Sequence, residues 1–258
     1  FLYLYFKMKQ LQAELKLAES TVILALKVLS DLNPESTSFS FDESLPKEMK
    51  AASDKILEEI ILKQLRTSGL DILSEEAGQI YSGNETDLRW VVDPLDGTVN
   101  YVRGLAPCSV SISLCRGDKP LLGVIGEFPS CKLASGGADI GAIYLDKSIQ
   151  VSSIDDKKKA VICTGFPSRF EFDLNGTNWI NNTIEPFGKI RMFGAASLSL
   201  LHVARGAAEV YAENDIMIWD VAAGLAILEG AGGVYNMTQG HHPDALNVFA
   251  SNGLILDN

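Results

Sequence analysis

The nine residues WVVDPLDGT, Trp90 to Thr98, constrain this chain more than any other stretch. The first three indicate a short buried strand, and Pro94 is predicted to end it because proline fixes φ and donates no hydrogen bond. Asp93 and Asp96 then stand three positions apart across a tight turn, where their carboxylates can converge. Unpaired carboxylates repel each other, and a hard cation such as Mg²⁺ would remove that cost. The alternative is a turn whose aspartates cap a helix and contact only water.

Further acidic residues stand where predicted elements begin or end. Asp54 precedes an apolar helical pattern, Glu75 and Glu76 follow a brief strand, and Asp220 opens a helix rich in small residues. Each has a simpler interpretation, respectively a helix-start residue, a solvated loop and a carboxylate favoured by the helix dipole. The small residues at 222–224 predict that the last of these helices approaches another element closely.

Composition excludes several classes of function. The chain has 258 residues, 47% hydrophobic and 21% charged, which is enough to bury a sizeable core. Its formal net charge of -11 repels phosphate backbones, so nucleic acid is not expected as a partner. Four cysteines without CxxC spacing predict neither disulfides nor zinc and fit a reducing cytosol. No apolar run reaches membrane-spanning length, so we expect a cytoplasmic protein without a membrane partner.

The hydrophobic pattern alternates between helical and strand periods along the whole chain. Because several adjoining strands look antiparallel, the pattern favours a mixed α/β layer over a pure Rossmann sheet. Residues 168–188 are expected to carry one helix, and residues 31–49 and 78–86 are expected to be polar loops. The remaining predictions are helices at 11–29, 57–65, 195–204 and 221–228, and strands at 71–73, 90–92, 109–114, 121–128, 143–145, 149–151, 161–164, 190–193 and 209–212.

Three motifs occur in order and resemble one family. Residues 90–101, WVVDPLDGTVNY, resemble the first signature of the inositol monophosphatase family. Residues 219–224, WDVAAG, running on to Gly232-Gly233, resemble its second signature, and LSEE at 73–76 resembles its upstream acidic element. The resemblance covers most of the chain, roughly Leu11 to Gly253.

The resemblance implies an α/β fold of the α+β type, a layered α/β/α/β/α sandwich of the inositol monophosphatase and fructose-1,6-bisphosphatase kind. With residues 1–7 interpreted as an added leader before Met8, residues 8–258 would form a single phosphatase domain. Its halves would be about 8–153 and 154–258, with the active site between them. The implied activity is Mg²⁺-dependent, lithium-sensitive hydrolysis of a phosphorylated polyol or sugar, in a homodimer, by metal-activated water.

The resemblance also assigns roles to residues, with two to three Mg²⁺ in each site. Metal ligands would be Glu75, Asp93, Asp96, Asp220, the Leu95 carbonyl and, partly through water, Asp54. Thr98 with Glu75 would orient and deprotonate the attacking water, and the amides of Gly97 and Thr98 would bind phosphate. Substrate contacts would come from Asp96, Gly194, Ala196 and Glu213.

The chemistry of the residues agrees with this assignment. Phosphoryl transfer needs charge neutralisation and positioning more than it needs a protein nucleophile, and cations supply both. No Ser-His-Asp arrangement or Walker motif competes for the role.

Some positions depart from the family pattern. The segment Leu45–Ser53 lacks the sequence motif that usually precedes the acidic residue near the looser third metal. Whether a third metal binds is therefore left open. Ala195 stands where a serine or threonine is common, so one hydroxyl near the substrate is expected to be missing. The chain ends soon after Gly253, so the final helix of many relatives is expected to be short or absent.

The substrate stays open among several candidates. Residues 99–101, VNY, favour inositol monophosphate, and Glu213 aligns with a family residue that contacts inositol hydroxyls, although it could equally be a loop carboxylate. Alternatives within the superfamily are fructose-1,6-bisphosphatase, histidinol phosphatase and 3′-phosphoadenosine 5′-phosphate phosphatase. The alternative from another class is a catalytically idle regulatory protein on this fold.

Overall fold

The structure, a computed structural model, describes residues 2–32, 39–41, 49–105, 107–167 and 170–257. Within them the chain forms six α-helices, which are α1 (Leu2–Asp31), α2 (Ala52–Leu65), α3 (Thr98–Arg103), α4 (Leu174–Trp179), α5 (Ala196–Ala204) and α6 (Ile218–Gly230). A short π-helix (Ile180–Ile184) continues α4. None of the described helices is both long and apolar enough to cross a membrane.

The strands of the same residues fall into two sheets and one hairpin. They are β1 (Phe39–Phe41), β2 (Met49–Ala51), β3 (Asp71–Ser74), β4 (Gly78–Ile80), β5 (Leu88–Asp96), β6 (Cys108–Arg116), β7 (Lys119–Phe128), β8 (Leu133–Gly137), β9 (Gly141–Tyr144), β10 (Lys147–Ser148), β11 (Val161–Thr164), β12 (Lys189–Arg191), β13 (Val210–Met217), β14 (Val234–Gln239) and β15 (Ala245–Ser251). The first sheet has the order β10-β9-β8-β7-β6-β5-β3-β4, the second has the order β12-β11-β13-β15-β14, and β1 pairs with β2.

The helices and sheets form five layers, which pack against one another through three apolar cores. The helices α1 and α2 cover one face of the first sheet, and α5 and α6 fill the space between the two sheets. The π-helix and its neighbours cover part of the outer face of the second sheet. This arrangement confirms the predicted α/β/α/β/α sandwich. The even-numbered residues from Val110 to Leu114 face the core under α1, whereas the serines of β6 point the other way and are also buried.

The small residues of α6 allow the predicted close approach. A Cβ atom added to Gly123 of β7 would collide with the backbone of Ala223, and one added to Gly224 would collide with Leu200 of α5. The helix therefore packs against the first sheet at backbone distance, with α5 on its other side. This contact brings the start of α6, and with it Asp220, close to the strands that carry the other predicted ligands.

The strand at WVVDPLDGT does not stop at Pro94 as predicted. β5 runs from Leu88 to Asp96, and its pairing with β6 changes register between Asp93 and Asp96. Proline is tolerated in a strand at such an irregularity because the missing N–H falls where the ladder is interrupted. Because of this bulge, Asp93 and Asp96 do not follow the regular alternation of side chains between the two faces of the sheet.

Several other predicted boundaries are wrong. The segment 31–49 was expected to be loop, but β1 and the start of β2 lie in it, while residues 33–38 and 42–48 lie outside the described residues. The loop at 78–86 contains β4, and β9 pairs with β10 instead of with a strand at 149–151. The strand predicted at 209–212 continues to Met217 through a bulge at which Asp215 adopts a positive φ of 61°. β8, β14 and β15 were not predicted.

Candidate metal centre and active site

Two parallel strands place the first pair of carboxylates. β3 runs parallel to β5, with Ser74 opposite Val92, and the N–H of Glu75 donates to the carbonyl of Val92 at 3.2 Å. Glu75 and Asp93 therefore lie side by side where the parallel pairing of β3 with β5 ends, and ligand sites of open α/β sheets are built at the carboxyl end of such pairings. Their side chains lie close enough for each to shift the pKa of the other.

The turn after Asp93 is fixed by its own hydrogen bonds. The N–H of Leu95 donates to Asp93 Oδ1 at 2.9 Å, and the hydroxyl of Thr98 donates to the carbonyl of Leu95 at 3.0 Å. Gly97 adopts a positive φ of 88°, and a Cβ there would lie only 3.2 Å from both Cys108 Cβ and the carbonyl of Gly194. The turn therefore requires glycine, and it presses against the loop that precedes α5.

Asp96 joins the two halves of the molecule. Its Oδ1 accepts the N–H of Ala196 at 3.2 Å, and its Oδ2 accepts the N–H of Ser197 at 2.9 Å, both at the start of α5. This is the capping role that the simpler interpretation of the turn predicted. The backbone N–H of Ala196, a residue predicted to contact substrate, is thus directed at Asp96.

The site does more than cap a helix, because Asp96 shares it with other carboxylates. Oxygen atoms of Asp93, Asp96 and Asp220 all lie within 4.8 Å of one another. Asp220 lies in the first turn of α6. Glu75 is outside this 4.8 Å group, although its side chain is close enough to Asp93 for each to shift the pKa of the other.

The carboxylates of the cluster raise one another's pKa. Burial, and then the charge of Asp220, hold the pKa of Glu75 well above its ordinary range. Burial and the charges of Glu75, Asp220 and Asp96 do the same to the pKa of Asp93. Burial raises the pKa of Asp96 to about 6, against the effect of its hydrogen bonds. The charges acting on Glu75 and Asp93 are all carboxylates, so a bound cation would relieve the repulsion.

Asp54 lies close enough to affect Glu75. It is 4% exposed in the first turn of α2, and its charge contributes to the raised pKa of Glu75. The unusual segment before it, Leu45–Ser53, lies partly outside the described residues, which resume at Met49.

The predicted substrate residues border the cluster. Glu213 is 6% exposed and accepts the hydroxyl of Tyr211 at 2.9 Å. Burial raises the pKa of Glu213 to about 8, and the charges of Asp220 and Asp96 add to this effect. Gly194, with a positive φ of 70°, lies against Asn100. The structure therefore brings the predicted residues of both halves to one place.

Four residues near this place were not predicted. Asn100 donates to the carbonyls of Pro107 and Phe193 at 2.8 and 2.7 Å, which ties α3 to the loop before α5. Glu58 of α2 binds the turn that carries Glu75. Ser109 and Ser197 contact Asp96. Only their buried polar character in apolar patterns could have indicated them.

Comparisons with known proteins find similarity to one family. Residues 10–258 match the model of the "Inositol monophosphatase family". A "Fructose-1,6-bisphosphatase/inositol-1-monophosphatase" of Aquifex aeolicus is 33% identical over 89% of this chain and 88% of its own. A "Nus factor SuhB" of Pasteurella multocida is 34% identical over 73% and 72%. The solved inositol monophosphatase of Anabaena superposes with a TM-score of 0.80 at 30% identity, over 95% of this chain and 92% of that one.

Proposed function

The chain belongs to the inositol monophosphatase family, and from this premise we propose that it is a Mg²⁺-dependent phosphate monoester hydrolase. One observation carries the proposal. Two aspartates at the bulge of β5 and one in the first turn of α6 bring oxygen atoms within 4.8 Å of one another, and Asp93 and Asp96 are buried. Such a group of hard oxygen ligands suits Mg²⁺ and is costly without a cation.

The residues present fit the ions that the family implies. Asp93, Asp96 and Asp220 would hold one Mg²⁺. Glu75, Asp93 and the Leu95 carbonyl would hold another, with Asp54 near a third. Bound Mg²⁺ would neutralise charge on the phosphate, lower the pKa of a water and stabilise the departing alkoxide.

The protein's own groups would position the water. The proton of the Thr98 hydroxyl is directed at the Leu95 carbonyl, so the Thr98 oxygen keeps lone pairs that can accept a hydrogen bond from a water. We assign Glu75 as the group that takes the proton of that water, because it follows the strand that runs parallel to β5 and lies beside Asp93. The amides of Gly97 and Thr98 would contact the phosphate.

For the substrate we propose a phosphorylated polyol, with inositol monophosphate first. Glu213 lies close enough to the cluster for the charges of Asp220 and Asp96 to raise its pKa, and its carboxyl can bind hydroxyl groups away from the phosphorus. Gly194 and Ala196 lie beside the same turn. The name of the Aquifex relative includes fructose-1,6-bisphosphatase, which keeps sugar bisphosphates as the second candidate.

The experiment is a substrate panel with Mg²⁺ in which phosphate release is measured. It includes inositol monophosphate, fructose 1,6-bisphosphate, histidinol phosphate and 3′-phosphoadenosine 5′-phosphate. We expect the highest kcat/KM for inositol monophosphate, and Glu213→Gln should mainly raise KM for it. Glu209→Gln is the matched control, because Glu209 is 2% exposed but accepts the N–H of Val161 instead.

A regulatory protein without activity is the second candidate, since one relative is named a Nus factor. The same panel separates the two. A chain that releases no phosphate from any substrate at saturating Mg²⁺ would favour the regulatory candidate.

We also propose that the protein is a homodimer, as the family resemblance implies. Light scattering should give twice the 28.0 kDa mass of the chain, and a monomer mass would refute the proposal.

A further inference from the structure

Two buried serines, one from each half of the molecule, meet beneath Asp96. Ser109 lies on β6 and Ser197 lies in the first turn of α5, and both are 0% exposed. Their hydroxyl oxygens are 2.7 Å apart. The hydroxyl of Ser197 is 2.5 Å from Asp96 Oδ2, whereas that of Ser109 is 3.4 Å from the same oxygen.

The number of protons fixes the direction of these hydrogen bonds. Each serine has one proton to donate and can accept at its oxygen. The short contact assigns the proton of Ser197 to Asp96, because a carboxylate only accepts. The contact between the serines then needs Ser109 as its donor. The result is a chain in one direction, from Ser109 to Ser197 to Asp96, and such chains strengthen each member.

The lone pairs of Asp96 can be counted in the same way. Each carboxylate oxygen offers about two acceptor positions. Oδ2 accepts the N–H of Ser197 at 2.9 Å and the hydroxyl of Ser197, so both of its positions are taken. Oδ1 accepts one backbone N–H, that of Ala196 at 3.2 Å, which leaves one position.

We infer that Ser197, supported by Ser109, is a positioning residue that holds Asp96 so that Oδ1 is the oxygen presented to a cation. This inference rests on the proposed function. Ala195 is the position at which the sequence indicated a missing hydroxyl. Ser197 supplies a hydroxyl two positions later. Because Ser109 and Ser197 come from different halves, the pair also fixes how the halves meet at the site.

The test measures Mg²⁺ binding by titration calorimetry and the melting temperature of each variant. Ser197→Ala should raise the Kd for Mg²⁺ about 10- to 100-fold, the usual effect of removing a group that orients a ligand. Ser109→Ala should raise it less, and its effect should shrink in the Ser197→Ala background because it acts through Ser197.

Two neighbouring serines serve as controls. Ser113 of β6 donates to the Leu122 carbonyl at 2.8 Å, and Ser199 of α5 donates to the Ala195 carbonyl at 3.0 Å, and both are buried. Their alanine variants should lower the melting temperature without changing the Kd. If Ser197→Ala and Ser109→Ala bind Mg²⁺ as the controls do, the inference is wrong while the proposed function stands. If the wild-type protein binds no Mg²⁺, both fail.

Discussion

The carboxylate of Glu58 on α2 accepts the hydroxyl of Ser74 at 2.5 Å, directly before Glu75 in the chain. The same oxygen, Glu58 Oε1, accepts the N–H of Ala77 at 2.9 Å. The two bonds close the turn between β3 and β4 on both sides of Glu75. Glu58, one turn after Asp54 on α2, thus fixes the backbone from which one of the central carboxylates of the site projects.

We therefore predict that Glu58→Ala lowers both stability and activity. It leaves two donors without their acceptor, which should lower the free energy of unfolding by about 1–3 kcal/mol. Because the turn carries Glu75, kcat should fall as well. The control is Glu59→Ala on the exposed side of the same helix, which should change stability by less than about 0.5 kcal/mol. Equal effects of the two variants in chemical denaturation would contradict the role of Glu58.

A second prediction concerns the packing of α6 on the first sheet. Gly123→Ala should destabilise the protein by about 1–3 kcal/mol or more, because its Cβ would meet the backbone of Ala223. Gly126→Ala on the same strand should cost less, since its Cβ would meet the movable side chains of Val22 and Leu26. Denaturant midpoints of the two variants provide the comparison. A smaller loss for Gly123→Ala than for Gly126→Ala would be evidence against this packing.

Glu213 should make stability depend on pH in the protein freed of metal. Its pKa is raised from 4.5 to about 8 in the folded state, first by burial. Its stabilising contribution is therefore complete below pH 4.5 and is lost as the pH rises through about 8. Glu213→Gln removes this dependence, so its melting temperature relative to wild type should rise between pH 5 and pH 8.

The measurement is a set of thermal melts in chelator across that range. Glu185→Gln, at an exposed carboxylate, serves as the control. A constant difference between Glu213→Gln and wild type at every pH would show that Glu213 does not have the raised pKa.

Sequence patterns located α1, α2, α5 and α6 well because the apolar periods of these helices are long. The helix predicted at 11–29 lies within α1, and the helix predicted at 195–204 begins one residue before α5. Short strands were harder to predict. Neither VYNMTQ at β14 nor ALNVFAS at β15 alternates cleanly, and Pro94 was given more weight than the bulge that accommodates it.

Part of the candidate site could likewise be predicted from the sequence, and part could not. The acidic residues were predicted because they follow strands or begin helices inside recognisable motifs. Ser109 looked the same as Ser111 and Ser113, which share its face of β6, and only the folded chain places Ser109 against Ser197. Contacts between the halves depend on tertiary packing, which no local pattern contains.

Thr98 should affect turnover and leave metal binding nearly unchanged. Thr98→Ala removes a hydroxyl that we assign to the attacking water, so kcat should fall about 10²- to 10⁴-fold. Its Kd for Mg²⁺ should stay close to that of wild type, because the effect arises mainly in the transition state. The control is Thr177→Ala, whose exposed hydroxyl donates to the Asp173 carbonyl in the same local manner. A wild-type kcat in Thr98→Ala would remove Thr98 from the mechanism.

Phosphate release with and without available Mg²⁺ tests the central claim most directly. The wild-type protein is assayed on inositol monophosphate with Mg²⁺, then in excess chelator, and again after Mg²⁺ is restored, with Asp93→Asn in parallel. The account predicts that chelation abolishes hydrolysis, that Mg²⁺ restores it, and that Asp93→Asn is inactive and binds Mg²⁺ weakly. Undiminished hydrolysis in excess chelator, or a wild-type rate in Asp93→Asn, would contradict it.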